Sequence, residues 1–161
     1  MTDIELGWVA GIVDGEGCIH ISKLQSVPTC RSPVYRLVLR VTMGHLPTVQ
    51  RLHTLTGQGT VQKHAPRGPQ TNASYTWMCQ QLQTAAILRQ LRPYLVTKAV
   101  EADLGLKFAA LPLSPRGGQC VPRVLLAQRE KMYWAMRRLK PRWRFSSAHN
   151  GRQHRRSRPK E

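Results

Sequence analysis

The stretch Val9-Ala10-Gly11-Ile12-Val13-Asp14-Gly15-Glu16-Gly17 decides how the rest of the chain is read. Five apolar or small residues run into alternating acids and glycines. Just upstream, Thr2 to Glu5 reads Thr-x-x-Glu, a capping box ahead of an apolar run. The pattern predicts a helix from about Asp3 to Asp14. Gly7, Gly11 and Gly15 recur every four residues, with Ala10 beside them, so one face of that helix is smooth. A glycine inside a helix costs about 1 kcal/mol relative to Ala, so three of them need a reason. Close approach of a second helix supplies one. Asp14-Gly15-Glu16-Gly17 is expected to end the helix, its two glycines allowing a backbone that other residues adopt only at a cost.

Beyond the glycines, Cys18 to Lys23 reads as a strand, with Ile19 and Ile21 on one face and Cys18, His20 and Ser22 on the other. A loop with Pro28 and Pro33 leads to a second strand, Val34 to Thr42. There Tyr35, Leu37, Leu39 and Val41 face one way; Val34, Arg36, Val38, Arg40 and Thr42 face the other. Pro47 suits the first turn of a helix running to about Thr56, after which Gly57 and Gly59 punctuate the chain. Strands are expected at Thr60 to His64 and near Ser74 to Gln80. A helix from about Thr84 carries Ala85, Leu88 and Leu91 at helical spacing and is stopped or kinked by Pro93. Another helix is expected from about Thr97 to Ala110, then a Pro/Gly linker over 111–122, then an amphipathic helix from Arg123 to Leu139. After Pro141 the chain is strongly basic and reads as a flexible tail. The order is αββαββα, an α+β fold: one domain over 1–140 (core 3–110) with a tail over 141–161. Its four strands, apolar on one face and cationic on the other, suggest a sheet open on one side.

The formal net charge is +17, from 25 Lys and Arg against 8 Asp and Glu, and a field of that sign concentrates polyanions, nucleic acid first among them. An anionic membrane is the competing partner. No apolar run approaches a membrane span, and Asp3, Glu5, Asp14 and Glu16 interrupt the N-terminal apolar segment, which argues against a signal peptide. A soluble intracellular protein is expected, in the cytoplasm, nucleoid or an organelle, with no membrane partner. Cys18, Cys30, Cys79 and Cys120 form no CxxC pair, which argues against a zinc ribbon and against a disulfide framework, and leaves buried free thiols as the plain reading.

Val9–Gly17 resembles the nine-residue signature of the LAGLIDADG homing endonucleases, matching at every position once conservative swaps are allowed. Leu91-Arg92-Pro93-Tyr94-Leu95-Val96-Thr97-Lys98 resembles the family's Leu-x-Pro-Tyr/Phe-Leu…Lys segment. The resemblance spans roughly Ile4 to Ala110, and αββαββα is the family's fold. It implies a metal-dependent, site-specific double-stranded DNA endonuclease of a mobile intron or free-standing gene. Because only one motif is present, it also implies a homodimer, packed through Gly7, Ala10, Gly11 and Asp14. Glu16 takes the position of the family's metal-binding acid, usually Asp, and the Gly15 carbonyl is the further ligand. Mg²⁺ (or Mn²⁺) is the implied cofactor, since carboxylate and carbonyl oxygens suit it. Lys98 matches the basic residue near the reacting phosphate. One departure stands out: Met43 and Pro47 occupy positions where relatives often carry a polar residue that orders water, or Arg.

The resemblance implies a four-stranded saddle sheet in the DNA major groove, with His20, Ser22, Arg36, Val38, Arg40, Gln62, His64 and Thr76 as candidate DNA contacts. Arg36 and Arg40 lie on one face, and Arg on guanine is the commonest specific contact. Arg129, Lys131, Arg137, Arg138 and Lys140 of the last helix, with the tail, are expected on phosphates; Tyr133 and Trp134 read as packing residues. Two alternatives stay open. One is a non-cleaving relative, either a DNA binder or a maturase acting on its own intron RNA. The other is a basic RNA-binding protein, although the aromatic-rich sheet motif of that class is absent.

Overall fold

The computed structural model describes residues 1–24, 32–66, 72–112 and 121–140. Helix α1 (Asp3–Glu16) is followed by strands β1 (Gly17–Leu24) and β2 (Val34–Met43), then by helix α2 (Leu46–Thr56). Strands β3 (Thr60–His64) and β4 (Ser74–Gln80) come next, followed by α3 (Leu82–Leu91), a 3₁₀ turn at Arg92–Tyr94, α4 (Ala99–Ala109) and α5 (Arg123–Leu139). The strands form one antiparallel sheet in the order β1-β2-β4-β3. The linker and tail expectations over 113–120 and 141–161 lie outside the described residues, as do Cys30 and Cys120. Among the described residues, no helix is long and apolar enough to cross a membrane.

The capping box forms as read: the Glu5 carboxylate accepts from the Thr2 amide at 2.8 Å, and the Glu5 amide donates to the Thr2 hydroxyl at 3.3 Å. The helix runs two residues past the expected Asp14 and ends at Glu16. Neither Gly15 nor Gly17 takes a positive φ, so backbone freedom is not why Gly17 is there. The reason is contact, since a Cβ on Gly17 would sit 2.5 Å from the Val13 carbonyl oxygen. Gly17→Ala is therefore expected to cost about 1–3 kcal/mol by overpacking a helix-to-strand junction. A thermal melt of the variant checks this, and an unchanged melting temperature would refute it.

One face of the sheet is core. Ile19, Ile21, Tyr35, Leu37, Leu39, Val41, Trp77 and Cys79 meet Val9 and Val13 of α1, Leu52 of α2, Leu88 and Leu91 of α3, Phe108 of α4 and Met136 of α5. The period-two alternation of β2 produces this directly, because its odd-numbered residues from Tyr35 to Val41 are buried. Helix α3 begins at Leu82, earlier than Thr84, and α4 at Ala99, later than Thr97. The strand-to-helix corner at Gln81 is strained, with φ 53° and ψ −119°. Its side chain holds it there: the Leu37 amide donates to its Oε1 at 3.2 Å and its Nε2 donates to the Tyr35 carbonyl at 3.3 Å. Helix α5 lies along β1, where Lys23 pairs with Glu130 at 2.7 Å and Tyr133 meets Tyr35 edge-on.

Candidate active site and nucleic-acid interface

The C-terminal end of α1 is held by a clasp. The Asp14 carboxylate accepts from the Val96 amide (2.7 Å), the Lys98 amide (3.0 Å) and the Thr97 hydroxyl (3.0 Å). Burial alone would raise the Asp14 pKa, but these donors outweigh it and hold the carboxyl below its ordinary range. Asp14 is thus held by the 96–98 turn of its own chain. Lys98 also donates its ammonium to the Asp14 carbonyl, which places that cation two residues from Glu16. The two sequence-predicted catalytic residues, 82 positions apart, are thereby brought to one end of α1.

Glu16 is exposed and has no hydrogen-bond or ion-pair partner among the described residues. The last carbonyls of a helix have no partner inside it. Lys98 takes that of Asp14, while that of Gly15 has no partner among the described residues. One carboxylate and one carbonyl make a hard oxygen pair that suits Mg²⁺ but do not complete its shell. No cluster of three or more His, Cys, Asp or Glu capable of holding a metal occurs among the described residues. Gly17 pairs with Val41, so Glu16 stands at the end of the sheet where Thr42 and Thr76 lie.

The other face of the sheet is polar and follows the register. Ser22 stands across from Arg36, His20 from Val38 and Gln80, Cys18 from Arg40, and Thr42 from Thr76 and Gln62. Arg36, Arg40, Gln62 and His64 are exposed as expected. Arg40 stands between two concavities of about 370 and 380 Å³, one lined by Cys18, His20 and Lys140, the other by Thr42, His64 and Thr76. Two expected contacts are corrected. Val38 belongs to this row but is only 4% exposed, because it is central and its neighbours in β1 and β4 cover it. Thr76 is 5% exposed; its hydroxyl lies 2.8 Å from that of Thr42 and 3.0 Å from Nε2 of His64, so it orders those two rather than reaching outward. Met43 lies on the core-facing row and packs there, so the polar group at that end of the face is Thr42. His45 occupies the N-cap of α2, with Nδ1 2.8 Å from the Thr48 hydroxyl.

Sequence reasoning passed over one member of this face. The Cys18 thiol lies 3.6 Å from Nδ1 of His20 and accepts from the Lys140 ammonium at 2.8 Å. The His20 contact lowers its pKa most, burial opposes it, and Lys140 adds to the lowering, bringing it to about 6. Cys79, buried in the core, is pushed up to about 11 by burial. Alkylation of Cys18 should therefore rise with pH through about 6 and level off near neutrality, since the thiolate is the nucleophile. Cys79 should stay unmodified in the folded protein. Peptide mapping after iodoacetamide checks both, and a Cys18 rate still climbing above pH 8 would contradict the assignment. Lys140 is what the sequence hides here, because it reaches Cys18 from 122 positions away.

The glycine stripe of α1 faces outward. A Cβ at Gly7, Gly11 or Gly15 would meet nothing within 4 Å, so the chain's own packing does not require these glycines. Ile4, Val96 and Val100 add exposed apolar surface near the helix. Ala10 is 1% exposed and points into the core, which removes it from the expected interface. On α5, Lys131, Arg137 and Arg138 are exposed, but Arg129 is buried and donates to the Pro112 carbonyl at 2.5 Å, so it is no phosphate ligand. Tyr133 packs as expected, whereas Trp134 is 45% exposed.

This arrangement, with a glycine-striped helix ending in an acid beside a four-stranded sheet whose open face is cationic, is the fold of the LAGLIDADG homing endonucleases. Among solved structures, the chain is similar to the homing endonuclease I-CvuI in complex with the I-CreI target (TM-score 0.69, 20% identity, covering 85% of this chain and 82% of that one). That complex was obtained in 2 mM Mg with the DNA not cleaved. It is also similar to the archaeal intron-encoded I-Vdi141I complexed with DNA (TM-score 0.68, 13% identity, 87% and 86% covered). A third, I-SmaMI bound to cleaved DNA, has TM-score 0.66 and 17% identity; the match covers 84% of this chain and 45% of that one. No protein-family model and no curated protein sequence matches the chain.

Proposed function

We propose that this chain is a site-specific endonuclease for double-stranded DNA that works as a homodimer with Mg²⁺. The observation that carries the reading is the exposed Glu16 carboxylate, without a partner among the described residues, at the Lys98 end of α1 and the margin of a cationic sheet face. Arg36 and Arg40, with His20, Ser22, Gln62 and His64, would read base edges in the major groove. Lys131, Arg137 and Arg138 of α5, with Lys140 at its C-cap, would bind phosphates, fixing position and not sequence.

Two α1 helices packed along Gly7, Gly11 and Gly15 would bring two Glu16 side chains and two Gly15 carbonyls together over the duplex. Glu16 and the Gly15 carbonyl would hold Mg²⁺, which when bound activates water and stabilises the leaving oxygen. The Lys98 ammonium would leave the Asp14 carbonyl for the phosphate, offsetting charge that develops there. Met43 packs against the core, so its identity gives no support to a chain that binds without cutting. An intracellular setting, where DNA is at hand, goes with the reading.

Selection of bound duplexes from a randomised library tests the interface. A pseudo-palindromic consensus of about two helical turns is expected, because a two-fold protein reads a two-fold site. Arg40→Ala should relax the preference at symmetric positions by about 1–3 kcal/mol per base pair. Enrichment of an asymmetric site, or a consensus unmoved by Arg40→Ala, would contradict the reading.

A further inference from the structure

Trp134 is an exposed indole fixed in place. Its Nε1–H donates to Glu130 at 2.8 Å, and Glu130 is itself anchored by Lys23 of β1. The Tyr133 ring meets it edge-on, with centroids 5.2 Å apart, and the Arg137 guanidinium lies 5.7 Å from both rings. Trp134, Arg137, Arg138 and Lys140 line a concavity of about 480 Å³. Arg137 and Lys140 also line the concavity beside Cys18, His20 and Arg40, so the patch continues from the polar face of the sheet.

An indole held rigid beside a concavity otherwise lined by cations offers a flat face for stacking, and the charges around it select the ligand. The rim is cationic, and Glu130, the one acid on α5, is already engaged. A second copy of the patch, carrying the same cations, would be repelled from this rim. The complement is an anion with a planar face, which is a nucleotide. Bases inside a duplex have their faces covered by their neighbours, whereas an unpaired base can stack on the indole while its phosphate meets the arginines.

We propose that Trp134, with Arg137, Arg138 and Lys140, binds unpaired DNA flanking the duplex held on the sheet. The proposal rests on the sheet being the duplex-binding face. The test uses the full chain and compares a blunt duplex of arbitrary sequence, the same duplex with a short single-stranded thymidine tail, one with a uridine RNA tail, and the free thymidine strand. The DNA-tailed duplex is expected to bind roughly tenfold tighter than the blunt one, the scale of one base–aromatic stack. Trp134→Ala should erase that difference while leaving blunt-duplex affinity within about twofold, and Trp134→Phe should keep part of it. Equal wild-type affinity for blunt and tailed DNA would overturn the proposal. So would an equal loss on both substrates in Trp134→Ala, or a preference for the RNA tail. If the blunt duplex does not bind while the free strand binds through Trp134, the sheet reading fails and the stacking site stands alone.

Discussion

Glu16→Gln is expected to lower DNA cleavage by roughly a hundredfold to a thousandfold while duplex affinity changes by less than about threefold, because a metal-held carboxylate is worth several kcal/mol to the reaction and little to binding. The separation follows from where Glu16 stands. It is exposed, caps nothing and pairs with nothing among the described residues, so neutralising it removes no contact that holds the fold. Asp14 is the contrasting case. Its carboxylate anchors the Val96, Thr97 and Lys98 turn, so Asp14→Asn should lower stability as well as activity. Cleavage of a selected duplex and its binding curve, measured side by side, decide between the two. Glu16→Gln cutting at the wild-type rate would remove Glu16 from the chemistry.

In the proposed homodimer, Gly11→Leu should separate the subunits without unfolding the chain. Gly11 is exposed and a Cβ there meets nothing within 4 Å, so the leucine starts into open space and replaces a poor helix former. Gly11→Ala should stabilise an isolated subunit by as much as about 1 kcal/mol for the same reason. Against a second helix packed on the stripe, the leucine cannot be accommodated. The dimer dissociation constant is expected to rise by roughly a hundredfold, on the scale of losing a central interface contact. Sedimentation velocity with a thermal melt checks both halves. A variant that stays dimeric at low concentration would show that the stripe is not the contact, and one that melts well below the parent would show that Gly11 serves the subunit itself.

What could be read along the chain was whatever repeats on the scale of one element. The β2 alternation, the Thr2–Glu5 capping box, Pro47 at the start of α2 and the limits of α5 all follow from local periodicity and end chemistry, and all stand as read. What could not be read depended on neighbours distant in sequence. Val38 alternates correctly yet is covered from both flanking strands, and Ala10 lies beside the glycine stripe yet turns into the core. Arg129 sits in a basic helix but is taken by the Pro112 carbonyl, and Trp134 sits in an amphipathic one but faces water. The strain at Gln81 had no signal, because a glutamine at positive φ is held by bonds to β2. At the acid end of α1, the motif pointed to Glu16 and Lys98 separately; the Asp14 clasp that brings them together became visible only in three dimensions.

The most direct test of the account is incubation of the full chain with a randomised duplex library in Mg²⁺, beside a metal-free control, followed by sequencing of the cut ends. Double-strand cuts at one pseudo-palindromic site, absent without the divalent ion, are expected. Selective retention of a duplex with no cut in either Mg²⁺ or Mn²⁺ would contradict it, and would make the chain a DNA binder or a maturase for its own intron RNA built on the same fold.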